Sequence, residues 1–118
     1  MVCLGNICRS PLAEGILTHK TQDLDVFVDS AGTASYHIGN LPDNRSIDIA
    51  NKYGIDLTDQ RARQFSEIDF DNFDKIYAMD THNYSSIISI ARNQNDRDKV
   101  DLILNETNPK SFDSVPDP

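Results

Sequence analysis

The sequence predicts an α/β domain, a three-layer arrangement with a four-stranded parallel sheet and helices on both faces. Three observations predict it. Short apolar runs at Met1–Val2, Val26–Val28, Lys75–Met79 and Val100–Leu104 lack strict polar alternation, which marks strands buried on both sides. Segments with helical spacing separate those runs, so the strands need crossover connections. The run Cys3-Leu4-Gly5-Asn6-Ile7-Cys8-Arg9-Ser10-Pro11 then joins the first strand to the first helix through a loop whose Gly5 and Asn6 tolerate left-handed backbone.

The elements follow in order. Pro11 to Lys20 is a helix with Leu12, Ala13, Ile16 and Leu17 on one stripe, Ser10 the expected N-cap and Pro11 the first helical residue. Ser30 to Leu41 reads as a loop, because Gly32, Gly39, Asn40 and Pro42 cluster around it. Asp43 to Tyr53 is a helix closed by Gly54. Ser66 with Asp69 three residues later resembles a capping box for one or two turns. Asp80 caps a helix running through Ala91, and the polar stretch Asn93 to Lys99 reads as a solvated turn. Only two residues precede Cys3, although a central strand is usually about five residues long.

The first loop carries the chemistry. A loop this short that opens a helix aims several backbone N–H groups and a helix N-terminus at one point, and an anion belongs there. Ligands of parallel sheets bind beyond the carboxyl ends of the strands, where this loop lies. The positive field that holds a phosphoryl group also favours a thiolate beneath it, which makes Cys3 a candidate nucleophile. Arg9 supplies a planar fork that matches two phosphoryl oxygens.

Composition bounds the partners. At 118 residues the chain has room for one core, so a single domain over residues 1–118 is expected. A net charge of −8 opposes nucleic acid and anionic membranes, both of which select basic surfaces. No apolar run is long enough to cross a bilayer and the N-terminus offers no secretion signal, so a cytoplasmic location is expected. Both cysteines lie in one loop, which argues against a disulfide scaffold. His19, His37 and His82 show no ligand spacing, and neither a metal nor a cofactor is expected.

The run Val2–Pro11 resembles the phosphate-binding loop of the low-molecular-weight protein tyrosine phosphatases. Asp29-Ser30-Ala31-Gly32-Thr33, Ile38-Gly39-Asn40 with Pro42 and Asp43, Arg61-Ala62-Arg63-Gln64, Met79-Asp80 and Pro116-Asp117-Pro118 follow in that family's order. The resemblance is to a bacterial-type member. It implies that the first strand and the C-terminal helix are incomplete here, and that a phosphotyrosine-containing protein is hydrolysed without a cofactor, releasing inorganic phosphate. Leu4, Gly5, Asn6, Ile7, Cys8, Arg9 and Ser10 would hold the phosphate, Cys3 would form a cysteinyl-phosphate, and Ser10 would donate to the sulfur. Asp117, which on residues alone reads as a turn residue between prolines, becomes the general acid. Ser30 would tie to Asn6, and Ile7 and Tyr36 would wall the substrate ring. Gln60 stands where many members carry a histidine. Cys8 is either a small packing residue or, as the family uses this pair, the partner of Cys3 in a redox switch.

Three other readings compete with this one. Arsenate reductases of this fold need further cysteines, and none follows Cys8. Protein arginine phosphatases of the same fold usually carry a small β-branched hydroxyl residue where this chain has Ile7, so an apolar wall favours a phosphotyrosine ring. A non-catalytic phosphate-binding or redox-sensing module is the third, and an assay of p-nitrophenyl phosphate hydrolysis tests it.

Overall fold

A computed structural model describes residues 1–109 and 113–116. Its centre is a four-stranded parallel sheet in the order β2-β1-β3-β4, with β1 at Val2–Cys3, β2 at Ala31–Gly32, β3 at Ile76–Ala78 and β4 at Val100–Leu102. From β1 the chain moves outward one way through α1 (Arg9–Lys20) to β2, whereas β3 moves the other way through α4 (Thr81–Ser89) to β4. Right-handed crossovers in opposite directions put α1 and α4 on opposite faces. That reversal creates a switch point between β1 and β3, where ligands of doubly wound sheets bind. Between β2 and β3 run α2 (Asn44–Lys52), which packs on α1, and α3 (Asp69–Asn72); α5 (Gln94–Asp98) precedes β4.

The predicted fold class holds. Val2, Ala31, Phe65, Phe70, Ile76, Ala78, Ile87, Val100 and Leu102 form one buried cluster. Phe65 and Phe70 meet edge-to-face at 5.3 Å within it, the arrangement the ring quadrupole favours. Local signals place α2 well: Asp43 accepts the Arg45 N–H at 2.8 Å, and Gly54 takes φ +74° just past the helix. Asp80 likewise caps α4 by accepting the Asn83 N–H at 2.7 Å, and the Ser66 N–H donates to the Asp69 carboxylate at 2.9 Å.

Three expectations are corrected. No strand forms at 26–28; the second strand is Ala31–Gly32, where Val2 pairs with Ala31 and Cys3 with Gly32. Residues 26–28 have β character but lie beyond the reach of β1, and Phe27 stacks on Phe73 at 5.9 Å instead. Asn93 to Lys99 is not a turn, because Asn93 caps the Asp96 N–H and the buried Asp96 carboxylate grips the Arg92 guanidinium at 2.8 Å, which closes α5. Ser10 is not an N-cap either. The helix begins at Arg9 after Cys8, and Pro11 is tolerated because the first turn's N–H groups lack intrahelical partners in any case.

Candidate active site

Cys3 is the last residue of β1 and is buried, so its side chain is delivered to the carboxyl edge of the sheet beneath the following loop. Asn6 turns that loop with φ +57°, a left-handed conformation that costs a non-glycine residue about 1–2 kcal/mol. Three hydrogen bonds hold it there. Its Oδ1 accepts the Arg63 N–H at 3.0 Å, and its Nδ2 donates to Ser10 Oγ at 2.8 Å and Ser30 Oγ at 2.9 Å. Because a backbone N–H can only donate, the Arg63 contact fixes which end of the amide is oxygen.

Ser10 explains its own departure from the capping role. Its hydroxyl accepts from Asn6 and lies 3.0 Å from Cys3 Sγ, where it can donate to a thiolate, with the Ala31 carbonyl at 3.5 Å as its other acceptor. Gly32 allows the close approach of β2 to the loop: a Cβ there would lie 2.8 Å from the Leu4 carbonyl oxygen and 3.2 Å from the Asn6 nitrogen. The stretch Arg61-Ala62-Arg63-Gln64 runs alongside, with Gly32 donating to the Arg63 carbonyl at 2.8 Å. Its place in the site is therefore the Arg63 backbone.

Arg9 spans the switch point. Its Nη1 donates to Asp80 Oδ2 at 2.7 Å and to the Val115 carbonyl at 3.0 Å. Burial works against the Asp80 charge, but the Asn83 N–H and the Arg9 guanidinium outweigh it and hold the carboxyl below its ordinary range. Asn83 in turn accepts the Thr33 hydroxyl at 2.8 Å. The ends of β1, β2 and β3 are thus linked through Arg9, Asp80, Asn83 and Thr33. Val115 also donates its N–H to the Met79 carbonyl at 2.7 Å, so the chain two residues before Asp117 is tied to the end of β3. Asp117 itself lies outside the described residues.

The remaining candidates are scattered around this centre. Cys8 Sγ accepts the Ser46 hydroxyl at 3.2 Å on the α2 side of the loop. Ile7 is half-buried, and its carbonyl accepts the Asp43 N–H. Tyr36 is 74% exposed and meets His37 edge-on at 6.4 Å, so it stands clear of the core. His37, given no role from sequence, lies against the loop: a Cβ on Gly5 would be 2.9 Å from its ring. Asp80 reads from sequence as a helix cap and as part of the Met79-Asp80 motif, with no role in the site, although its position just past a strand next to β1 is the available signal. Glu14 was missed altogether. It accepts the Ser30 hydroxyl at 2.6 Å, and burial, partly offset by that hydrogen bond, pushes its carboxyl above the usual range. Among the described residues no three His, Cys, Asp or Glu side chains gather as a metal site, and no helix is long and apolar enough to cross a membrane.

A buried cysteine at the carboxyl edge of a parallel sheet, a loop that opens a helix above it and an arginine paired across the switch point make the arrangement of an α/β domain suited to an anion. The family model described as low molecular weight phosphotyrosine protein phosphatase matches residues 1–118. The phosphatase of that name from Schizosaccharomyces pombe is 40% identical over 99% of this chain and 77% of its own length. The crystal structure of YfkJ from Bacillus subtilis, itself named a low molecular weight protein-tyrosine-phosphatase, superposes with a TM-score of 0.88 at 41% identity, covering 99% of this chain and 76% of that one. A Drosophila arginine phosphatase superposes with a TM-score of 0.89 at 34% identity, over 99% of this chain and 77% of that one. The chain therefore belongs to the low molecular weight phosphotyrosine protein phosphatase family, a family of hydrolases.

Proposed function

We propose that this chain, as one domain over residues 1–118, is a cytoplasmic protein tyrosine phosphatase that works through a cysteinyl-phosphate without a metal ion. The observation that carries this reading is the Cys3–Ser10 contact at 3.0 Å at the foot of the loop that Arg9 closes. Cys3 attacks the phosphorus of a phosphotyrosine residue in a protein, and the phenolate leaves with a proton from Asp117. Water, deprotonated by the same carboxylate, then releases inorganic phosphate. Arg9 and the N–H groups of Leu4 to Ser10 hold the equatorial oxygens and supply the positive charge that a divalent ion provides in other phosphoryl-transfer enzymes. Ser10 donates to the sulfur as it departs. Ile7 and Tyr36 form the wall for the ring, and Ser30 keeps Asn6 in place. The apolar Ile7 favours an aromatic ring over a guanidinium, which sets this reading ahead of an arginine phosphatase.

The general acid is tested by leaving-group chemistry. Asp117→Asn is expected to slow a phenyl phosphate with a poor leaving group about 10²-fold or more, and p-nitrophenyl phosphate far less, because a good leaving group needs little protonation. Equal losses on both substrates would remove Asp117 from this role.

Cys3 and Cys8 also form the proposed redox pair. Peroxide oxidises the Cys3 thiolate to the sulfenic acid, and the Cys8 thiolate displaces hydroxide from it to give the disulfide. After mild peroxide, wild type is expected to regain activity with thiol and to show an intramolecular disulfide by mass spectrometry, whereas Cys8→Ser over-oxidises. Equal recovery in both proteins would make Cys8 a packing residue.

A further inference from the structure

One carboxylate outside the reaction is wired to the sulfur. From Glu14 Oε1 a continuous path runs through Ser30 Oγ (2.6 Å), Asn6 Nδ2 (2.9 Å) and Ser10 Oγ (2.8 Å) to Cys3 Sγ (3.0 Å). Three of its four bonds have a defined direction, and the fourth, between Ser10 and Cys3, runs from the hydroxyl once the sulfur is a thiolate. Asn6 is pinned by the Arg63 N–H, so its Nδ2 gives both hydrogens away, and each serine must present a lone pair to it. Each serine then has one proton left to place. Glu14 takes that of Ser30, and that of Ser10 can go to a Cys3 thiolate at 3.0 Å or to the Ala31 carbonyl at 3.5 Å.

We propose that Glu14 is a positioning residue for the cysteine: by accepting the Ser30 proton it keeps a Ser30 lone pair on the Asn6 amide, and so steadies the left-handed loop and the Ser10 hydroxyl beside Cys3. Without that acceptor the Ser30 proton is free to turn toward the Asn6 amide, where it meets an N–H, and the left-handed loop loses a support. Residue 60 does not do this work here. The Gln60 amide nitrogen donates to the Pro11 carbonyl at 3.0 Å, and its buried Oε1 has no hydrogen-bond partner among the described residues. The relay ends on Glu14.

Keeping Glu14 ionised opposes stability. Burial raises its carboxyl above the ordinary value, and Asp29 adds to the rise, while the Met1 amino group and Arg63 oppose it. His19, Asp56 and Asp59 line the cavity of about 250 Å³ beside Glu14 and Gln60. A carboxyl raised by folding contributes stability below its unfolded value and loses it as pH climbs through the folded value, so the anion is a cost at neutral pH.

The test rests on Cys3 being the nucleophile but is read apart from turnover. Glu14→Gln is expected to lower kcat about fivefold with KM within twofold, because a charge-assisted hydrogen bond becomes a neutral one. It is also expected to raise Tm at pH 7.5, the gain closing in acid, and to slow alkylation of Cys3 by iodoacetamide by a similar factor. A charge acting only through space predicts the opposite sign, since removing an anion eases thiolate formation; faster alkylation would overturn the proposal. In a Ser30→Ala background Glu14→Gln should add nothing, because Glu14 acts through Ser30. Multiplicative losses in the double variant, unchanged kcat, or kcat and Tm falling together would each overturn it as well. Failure of the nucleophile reading shows separately, as turnover that survives Cys3→Ser.

Discussion

Cys3→Ser is expected to lose hydrolysis by about 10⁴-fold or more while still binding inorganic phosphate. A serine hydroxyl fits beneath the loop and can still meet Ser10, so the anion site should persist. What disappears is the covalent step, because the hydroxyl is a far weaker nucleophile than the thiolate. The variant should therefore act as a trap, retaining a phosphotyrosine peptide and releasing a phosphoarginine peptide. Wild-type activity should be indifferent to chelators and to added divalent ions. Full activity in the variant, or a metal requirement in the wild type, would remove the cysteinyl-phosphate; retention of only the phosphoarginine peptide would reassign the substrate.

What was legible in the sequence was local. Asp43 with Gly54 bracketed α2, and Asp80 opened α4, because an N-cap and a left-handed C-terminal residue act within one turn of the helix they bound. The first loop was legible for the same reason, since its cysteine, its left-handed residue and its arginine all lie within seven positions. What failed was non-local. Val26–Val28 has strand character, but a strand exists only where a partner lies beside it, and β1 meets the chain at Ala31. Asn93–Lys99 reads as solvated until Asp96 is seen to bury its carboxylate against Arg92. Ser10 offers the residue type of a cap, yet Asn6 and Cys3 claim its hydroxyl. The same limit hid Asp80 and Glu14 from the site. Asp80 meets Arg9 across 71 residues, and Glu14 reaches the sulfur only through Ser30, a residue 16 positions away in the chain.

The Asp80 contact sets the second large effect. Arg9→Lys is expected to lower kcat/KM about 10²–10³-fold while leaving Tm nearly unchanged, with inorganic phosphate losing potency as a competitive inhibitor. The guanidinium plane is fixed on one edge by Asp80 and the Val115 carbonyl. A lysine ammonium can satisfy Asp80, and so preserve the fold, but it has no second, coplanar donor to offer a phosphoryl oxygen. Charge is retained and the fork is lost, so the variant separates the two. Asp80→Asn extends the test. It keeps an oxygen for the Asn83 N–H at the start of α4 but weakens the grip on Arg9, and should raise KM for substrate with less effect than Arg9→Lys. Because the Asp80 carboxyl is held below its ordinary value, its contribution to stability is present above the unfolded value and lost as pH falls through the folded one. The stability difference between wild type and Asp80→Asn should accordingly be full at neutral pH and shrink in acid. Activity of Arg9→Lys within threefold of wild type would show that charge alone holds the phosphate, and that the Asp80 lock across the switch point serves the fold rather than the reaction.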